Sequence, residues 1–147
     1  MLNKGFTLVE LVISIMIIAI ITTIAVPGVI SYQNKQLEDQ FVNQIINQLR
    51  SLENISLTKD ISTKISFASG AINFCEVEST NCKVLAVPSS LTDTVSLTNG
   101  SFYFDRYANL LDSGKSAVTV DTYSITTKSY KIIINKYGDI SKEFIQN

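Results

Sequence analysis

An apolar stretch lies near the start of the chain, and the sequence becomes polar after about thirty positions. Residues 11–30 contain no charged side chain and are diluted only by Ser14, Thr22 and Thr23. As a helix, these residues span roughly 30 Å, which matches the hydrocarbon thickness of a bilayer. A run this long, apolar on every face, predicts a membrane helix. Glu10 lies at its edge, where a carboxylate is costly unless paired, and this marks Glu10 as functional.

A second pattern comes after Pro27-Gly28, where apolar positions recur at steps of three to five. This spacing predicts one buried helical face: Tyr32, Leu37, Phe41, Ile45, Leu49 and Leu52. Most positions between them, among them Glu38, are polar and predict a solvated face. Together the two patterns predict one helix over residues 6–57 that holds a sheet. Pro27 is predicted to kink it, because the ring removes one backbone hydrogen bond.

From Ile61 onward, alternating apolar and polar positions predict strands. The expected strands cover residues 64–67, 72–77, 83–87, 95–98, 101–105, 117–125, 130–135 and 140–144. Residues 76–81 are the expected tip of one hairpin and residues 126–129 the turn of another. Asn99-Gly100 is the strongest two-residue hairpin signal and predicts that its flanking strands pair. The fold class is therefore α+β, with a long kinked N-terminal helix packed on an antiparallel sheet.

The bulk composition excludes several classes of protein. The 147 residues carry a net charge of −1 and only 17% charged side chains, so neither a general nucleic-acid-binding protein nor a polyanionic tail is indicated. The chain contains no His, which removes the commonest general base and metal ligand. The acidic residues are scattered and form no catalytic constellation. We therefore predict no enzyme, no cofactor and no metal.

Cys75 and Cys82 have six residues between them, which is too many for a CxxC redox or zinc pair. If the apolar segment directs the export of the polar part of the chain, both cysteines lie in an oxidising space and a disulfide is expected. The alternative is a pair of buried free thiols.

The start of the chain carries a specific motif. Gly5-Phe6-Thr7-Leu8-Val9-Glu10 runs directly into the apolar helix, and a five-residue leader with one Lys ends at Gly5. This arrangement resembles the prepilin motif of type IV pilins and type II secretion pseudopilins. The resemblance implies cleavage between Gly5 and Phe6 by a prepilin peptidase and N-methylation of Phe6. It also implies that Glu10 pairs with the terminal ammonium of a neighbouring subunit, and that Pro27 is the family's helix-kinking proline.

The resemblance implies an organisation for the whole chain. Residues 1–5 would be the leader peptide, residues 6–30 the transmembrane and assembly helix, and residues 31–147 a pilin globular domain that includes the amphipathic helix 31–57. The partners implied are the peptidase, other pilin or pseudopilin subunits, an inner-membrane assembly platform, and membrane lipid before assembly. The expected location is the cell membrane, spanned once with the C-terminal domain outside the cytoplasm, and then a pilus or pseudopilus at the cell surface.

A weaker resemblance covers the C-terminal half. Phe102-Tyr103-Phe104-Asp105, a Thr/Val strand, the Ile-rich residues 132–134 and Tyr137-Gly138-Asp139-Ile140 look like the two-sheet domain of H-type minor pseudopilins and FimT-like minor pilins. Those usually have a glycine shortly after the phenylalanine strand, where this chain has Tyr107-Ala108-Asn109. The expected function is therefore a minor pilin or pseudopilin of a pilus, type II secretion or DNA-uptake system. A major pilin is the first alternative.

A second alternative is a DNA-binding minor pilin for competence. Between residues 128 and 142 four lysines stand against Asp139 alone, and Lys128, Lys131 and Lys136 are candidate DNA contacts. The neighbouring tyrosines, at positions 123, 130 and 137, can stack bases or belong to the core. A solvated edge strand is the favoured explanation of the lysines, because Lys blunts strand edges. A calcium site built from Asp112, Asp121 and Asp139 lacks a DxDxDG-like run.

Overall fold

A computed structural model of the chain describes residues 7–77, 82–97, 100–111 and 122–145, without the side chains of residues 24–27. It has a long N-terminal helix and antiparallel strands, which confirms the α+β prediction. Contacts divide the chain into two compact units, Met1–Gln36 and Leu37–Asn147. Helix α1 (Leu8–Lys59) is 52 residues long, and Asp60 comes directly after it in the left-handed conformation with φ 56°. A left-handed residue directly after the last helical turn is a common way to end a helix.

The strands form two antiparallel sheets. The first has the order β3-β2-β1-β5-β6 and contains β1 (Thr63–Ala68), β2 (Ala71–Glu76), β3 (Cys82–Ala86), β5 (Ser101–Phe104) and β6 (Leu110–Leu111). The second has the order β4-β7-β8-β9 and contains β4 (Ser96–Leu97), β7 (Thr122–Thr126), β8 (Tyr130–Asn135) and β9 (Ile140–Phe144). The hairpins expected around residues 76–81 and 126–129 are both formed.

The core of the second unit lies between α1 and the two sheets. Alternate strand positions point inward, and Phe102 and Phe104 are fully buried while Tyr103 between them is not. The helix contributes the buried residues Phe41, Val42, Ile45, Leu49 and Leu52. Tyr32 and Leu37, which were expected on the same face, are exposed. Both precede Glu38, the first buried position among the helix side chains that the structure describes.

The hairpin predicted at Asn99-Gly100 is wrong. β4 pairs with β7 and β5 pairs with β1, so the two flanking strands belong to different sheets. The physical reason is the length and burial of the available partner. β1 gives β5 four register partners, including Ile65 opposite Phe102, whereas β4 is only two residues long. Asn99 lies outside the described residues.

Candidate functional site

The amino end of α1 is closed by a reciprocal cap between Thr7 and Glu10. The Glu10 amide donates to Thr7 Oγ1 at 3.3 Å, and the Thr7 amide donates to Glu10 Oε2 at 3.0 Å. The Thr7 hydroxyl donates to the same carboxylate oxygen at 2.9 Å. This is a capping box, in which the residues at the N-cap and at the third helical position satisfy each other's backbone amides. Glu10 therefore has hydrogen-bond partners within its own chain. The pattern Thr-x-x-Glu is the sequence signal for this cap, although hydrophobic periodicity alone does not single out Thr7.

The first unit exposes an apolar helix surface. Its large side chains are more than half exposed at most positions, and among the described ones Leu8 is the most exposed, at 79%. The hydroxyl groups on this surface bond back to the helix itself: Ser14 Oγ donates to the Glu10 carbonyl at 2.7 Å, and Thr23 Oγ1 to the Ala19 carbonyl at 3.1 Å. A hydroxyl satisfied in this way can enter an apolar medium without losing a hydrogen bond to water. By length and composition, α1 is able to cross a membrane, and it fits a membrane anchor.

The structure does not describe the side chains of three residues that are predicted to act in this region. Gly5 and Phe6, the expected cleavage and methylation site, lie outside the described residues. Position 27 lies inside α1, but the Pro27 side chain is not described, and the kink stays a prediction.

Comparison with known families identifies residues 1–26 as a prokaryotic N-terminal methylation motif. The chain carries a prepilin-type N-terminus. The match supports the type IV pilin-like family, and the motif implies processing by a prepilin peptidase and assembly with other pilin subunits. No curated protein and no solved structure matches the chain. In the prepilin-type N-terminus, Thr7 and Glu10 fall within the matched segment, and so do the apolar residues up to Val26.

The lysines predicted to contact DNA do not share one strand. Lys128 is exposed in the β7–β8 turn, Lys131 is exposed on β8, and Lys136 is exposed in the β8–β9 turn. The edge-strand interpretation is wrong for Lys131, because β8 lies between β7 and β9. Glu143 is the direct cross-strand partner of Lys131, which places an acid beside one of the three lysines. The three positions therefore do not form a run of unopposed cations.

The neighbouring tyrosines have three different environments. Tyr123 is 1% exposed and packs against Phe102 with ring centroids 5.2 Å apart, so it belongs to the core. Tyr130 stacks edge-to-face on Phe144, and Lys142 Nζ lies 4.1 Å from its ring centroid. Burial, followed by a hydrogen bond with Asp39, raises the pKa of Tyr130 above its ordinary value. Only Tyr137, at 70% exposed, presents a ring to solvent among these three.

No cluster of three metal-ligating side chains occurs in the part of the chain that the structure describes. Asp112 and Asp121, considered as calcium ligands, lie outside it. Asp139 Oδ2 accepts a hydrogen bond from Asn135 Nδ2 at 3.0 Å, which closes the β8–β9 turn. The predicted disulfide is present and joins Cys75 on β2 to Cys82 on β3.

Proposed function

We propose that the chain is a minor pilin or pseudopilin, a structural subunit of a type IV filament system. A prepilin peptidase cleaves it between Gly5 and Phe6, the new amino group of Phe6 is methylated, and the subunit enters the filament through α1. One observation carries this proposal: the methylation motif of residues 1–26 includes the start of an exposed apolar helix, α1, which has a single acid, Glu10, in its first turn.

Glu10 supplies the specificity of assembly in this proposal. Before assembly its carboxylate is held by the amide and hydroxyl of Thr7, which reduces the cost of placing it beside lipid. In the filament it pairs with the ammonium group on Phe6 of a neighbouring subunit. Removing one partner of such a pair in an apolar environment costs about 3–5 kcal/mol. Glu10 therefore sets the register in which one assembly helix, residues 6–30 and called the stem below, packs against the next.

Two observations support a minor subunit. The strands of the second unit form two separate sheets, as the resemblance to H-type pseudopilins and FimT-like minor pilins leads us to expect. Ala108, which stands near the glycine position of those proteins, has a positive φ of 60°. Its backbone therefore adopts the conformation that glycine favours. A low abundance of this chain in sheared filaments is expected for a minor subunit, and a dominant share would indicate a major pilin instead.

The remaining partners belong to the same proposal. The stem lies in the cell membrane before assembly, with the second unit outside the cytoplasm, and an inner-membrane platform transfers it to the pilus or pseudopilus. The proposal does not include DNA as a partner, because Lys131 lies opposite Glu143 and Tyr123 is buried.

Stem variants expressed in cells that assemble filaments test the proposal. Glu10→Ala should be cleaved normally yet incorporate poorly, and Gly5→Ala should remain uncleaved. Ser14→Ala is the matched control, because Ser14 lies one turn along the same helix and only bonds back to it. N-terminal sequencing reads out cleavage, and immunoblots of sheared filaments read out incorporation. Normal incorporation of Glu10→Ala would refute the role of Glu10, and a Gly5→Ala chain that begins at Phe6 would refute the cleavage site.

A further inference from the structure

The edge of the first sheet that β3 forms is a second place where this chain can bind a partner. β3 pairs with β2 on one side, and no strand among the described residues pairs with its other side. Four of its five residues are exposed, including Val84, at 60%. Unpaired strand edges are templates for the addition of another strand.

The register shows which backbone groups of β3 face outward. The Cα atoms of Cys75 and Cys82 are 4.1 Å apart, a short separation typical of a non-hydrogen-bonded antiparallel pair. Such pairs alternate along the strands with hydrogen-bonded pairs. The Val87 amide donates to the Gly70 carbonyl at 3.0 Å, so Gly70 and Val87 form one of the hydrogen-bonded pairs. Cys82, Val84 and Ala86 therefore direct their N–H and C=O groups away from β2. These three residues are also exposed.

Beside this edge lies a groove of about 280 Å³ between β3 and α1. Leu52, Ile55 and Phe74 give it an apolar lining, and Gln48, Ser51 and Lys83 add polar groups. Lys83 is the cross-strand partner of Phe74 and so points to the same face of the sheet. A strand added next to β3 would lie about 4.8 Å away and would place alternate side chains over this groove.

The charged side chains that line the groove indicate which kind of strand can be added beside β3. Glu76, which also lines it, accepts a hydrogen bond from Lys59 Nζ at 2.7 Å. No carboxylate within the described ranges forms an ion pair with Lys83. A second copy of β3, paired antiparallel about Val84, would put Leu85 opposite Lys83 and leave this charge unmatched. A partner strand with an acidic side chain between two apolar ones would match the charge of Lys83 better than a second copy of β3.

We propose that the β3 edge binds an extended peptide segment of a different protein by strand addition, with apolar residues at alternate positions and an acid directed to Lys83. Backbone hydrogen bonds to Cys82, Val84 and Ala86 supply affinity, and the groove supplies selectivity, as in other sheet-edge recognition. This inference concerns the second unit and does not depend on the role proposed for the stem.

The test uses the full chain in detergent micelles and the synthetic peptide acetyl-TVTETVT-amide. We expect saturable binding at micromolar to millimolar concentration and slower amide hydrogen exchange at Cys82, Val84 and Ala86. The matched control peptide, acetyl-TVTKTVT-amide, should bind about tenfold more weakly because its lysine meets Lys83. A TVTETVT peptide that is N-methylated on the amides facing β3 should not bind.

Protein variants provide an independent measurement. Val84→Pro removes one outward N–H while sparing the bonds to β2, and it should weaken binding about tenfold, whereas Val84→Thr should bind like the original chain. Lys83→Glu should reverse the preference between the two peptides. The proposal is overturned by absence of saturable binding, by protection of amides elsewhere, by equal binding of the two peptides, or by self-association of the chain through β3 in sedimentation experiments.

Discussion

Glu38 on α1 and Ser129 in the β7–β8 turn are joined by two hydrogen bonds. The Ser129 amide donates to Glu38 Oε1 at 2.6 Å, and the Ser129 hydroxyl donates to Oε2 at 2.8 Å. Thr127 Oγ1 donates a third bond, to Oε1, at 2.8 Å. Glu38 is only 3% exposed although it lies next to the boundary between the two units. Its carboxylate therefore anchors the start of the packed half of the helix to the second sheet.

Replacing Glu38 should destabilise the second unit. In Glu38→Gln, one carboxylate oxygen is replaced by an NH₂ group, which cannot accept the hydrogen bond that this oxygen accepts. We therefore expect a loss of about 1–3 kcal/mol in the free energy of unfolding. Glu143→Gln is the control with the same chemical change at an exposed position, where a loss below about 1 kcal/mol is expected. Urea unfolding of the detergent-solubilised chain measures both. Equal effects of the two variants would contradict the anchoring role of Glu38.

The β5–β6 and β8–β9 turns have the same hydrogen-bond pattern. Asp105 Oδ1 accepts from the amides of Tyr107 and Asn109, and Asn135 Oδ1 accepts from those of Tyr137 and Asp139. The fourth residue of each five-residue turn has a positive φ: 60° at Ala108 and 87° at Gly138. The turns touch each other, because a Cβ atom added to Gly138 would lie 3.0 Å from the Ala108 carbonyl oxygen.

This similarity predicts opposite effects at the two equivalent positions. Gly138→Ala should destabilise the chain by about 1–3 kcal/mol, because the left-handed backbone and the close carbonyl both oppose a Cβ. Ala108→Gly relieves the same backbone strain and should stabilise it by up to about 1 kcal/mol, after the loss of one buried methyl group. Thermal unfolding measures both shifts. A destabilising Ala108→Gly would show that packing of the methyl group outweighs the backbone strain.

Glu53 should make stability depend on pH. Burial, followed by the charge of Asp139, raises the pKa of Glu53 above its ordinary value, and the charge of Arg50 opposes this only in part. A carboxyl group with a raised pKa favours folding when protonated, so its contribution is lost as pH rises from the unfolded to the folded pKa. Glu53→Gln should therefore stabilise the chain at about pH 7 and have little effect at about pH 3. An equal effect at both pH values in urea unfolding would contradict this origin.

The elements that the sequence predicted well are those whose signal lies in residues close together in the sequence. The uninterrupted apolar run indicated the stem, and the strand alternation indicated both β7 and β8 with the turn between them. The disulfide prediction depended on export of the domain together with the spacing of two cysteines. It is confirmed by the pairing of β2 with β3, which places Cys75 directly opposite Cys82.

The wrong predictions concern contacts between residues that are far apart in the sequence. Asn99-Gly100 has the composition of a hairpin, but the partner of β5 is β1, more than thirty positions earlier, which buries Phe102 opposite Ile65. Glu38 belongs to a polar pattern, and the donors that bind its carboxylate inside the protein come from the turn at Ser129, 91 residues later. Local periodicity contains no information about either contact. The capping role of Thr7 is different, because its Thr-x-x-Glu signal is local and readable.

The disulfide between Cys75 and Cys82 should stabilise the β2–β3 hairpin. It closes a short loop, and in the chain-entropy model its loss costs about 2–3 kcal/mol. The double variant Cys75→Ser with Cys82→Ser should lose this amount in urea unfolding without reductant. With reductant, the original chain should approach the double variant, and the double variant itself should not change. Non-reducing mass spectrometry should show the two cysteines linked, and two alkylatable thiols in the purified chain would contradict the bond.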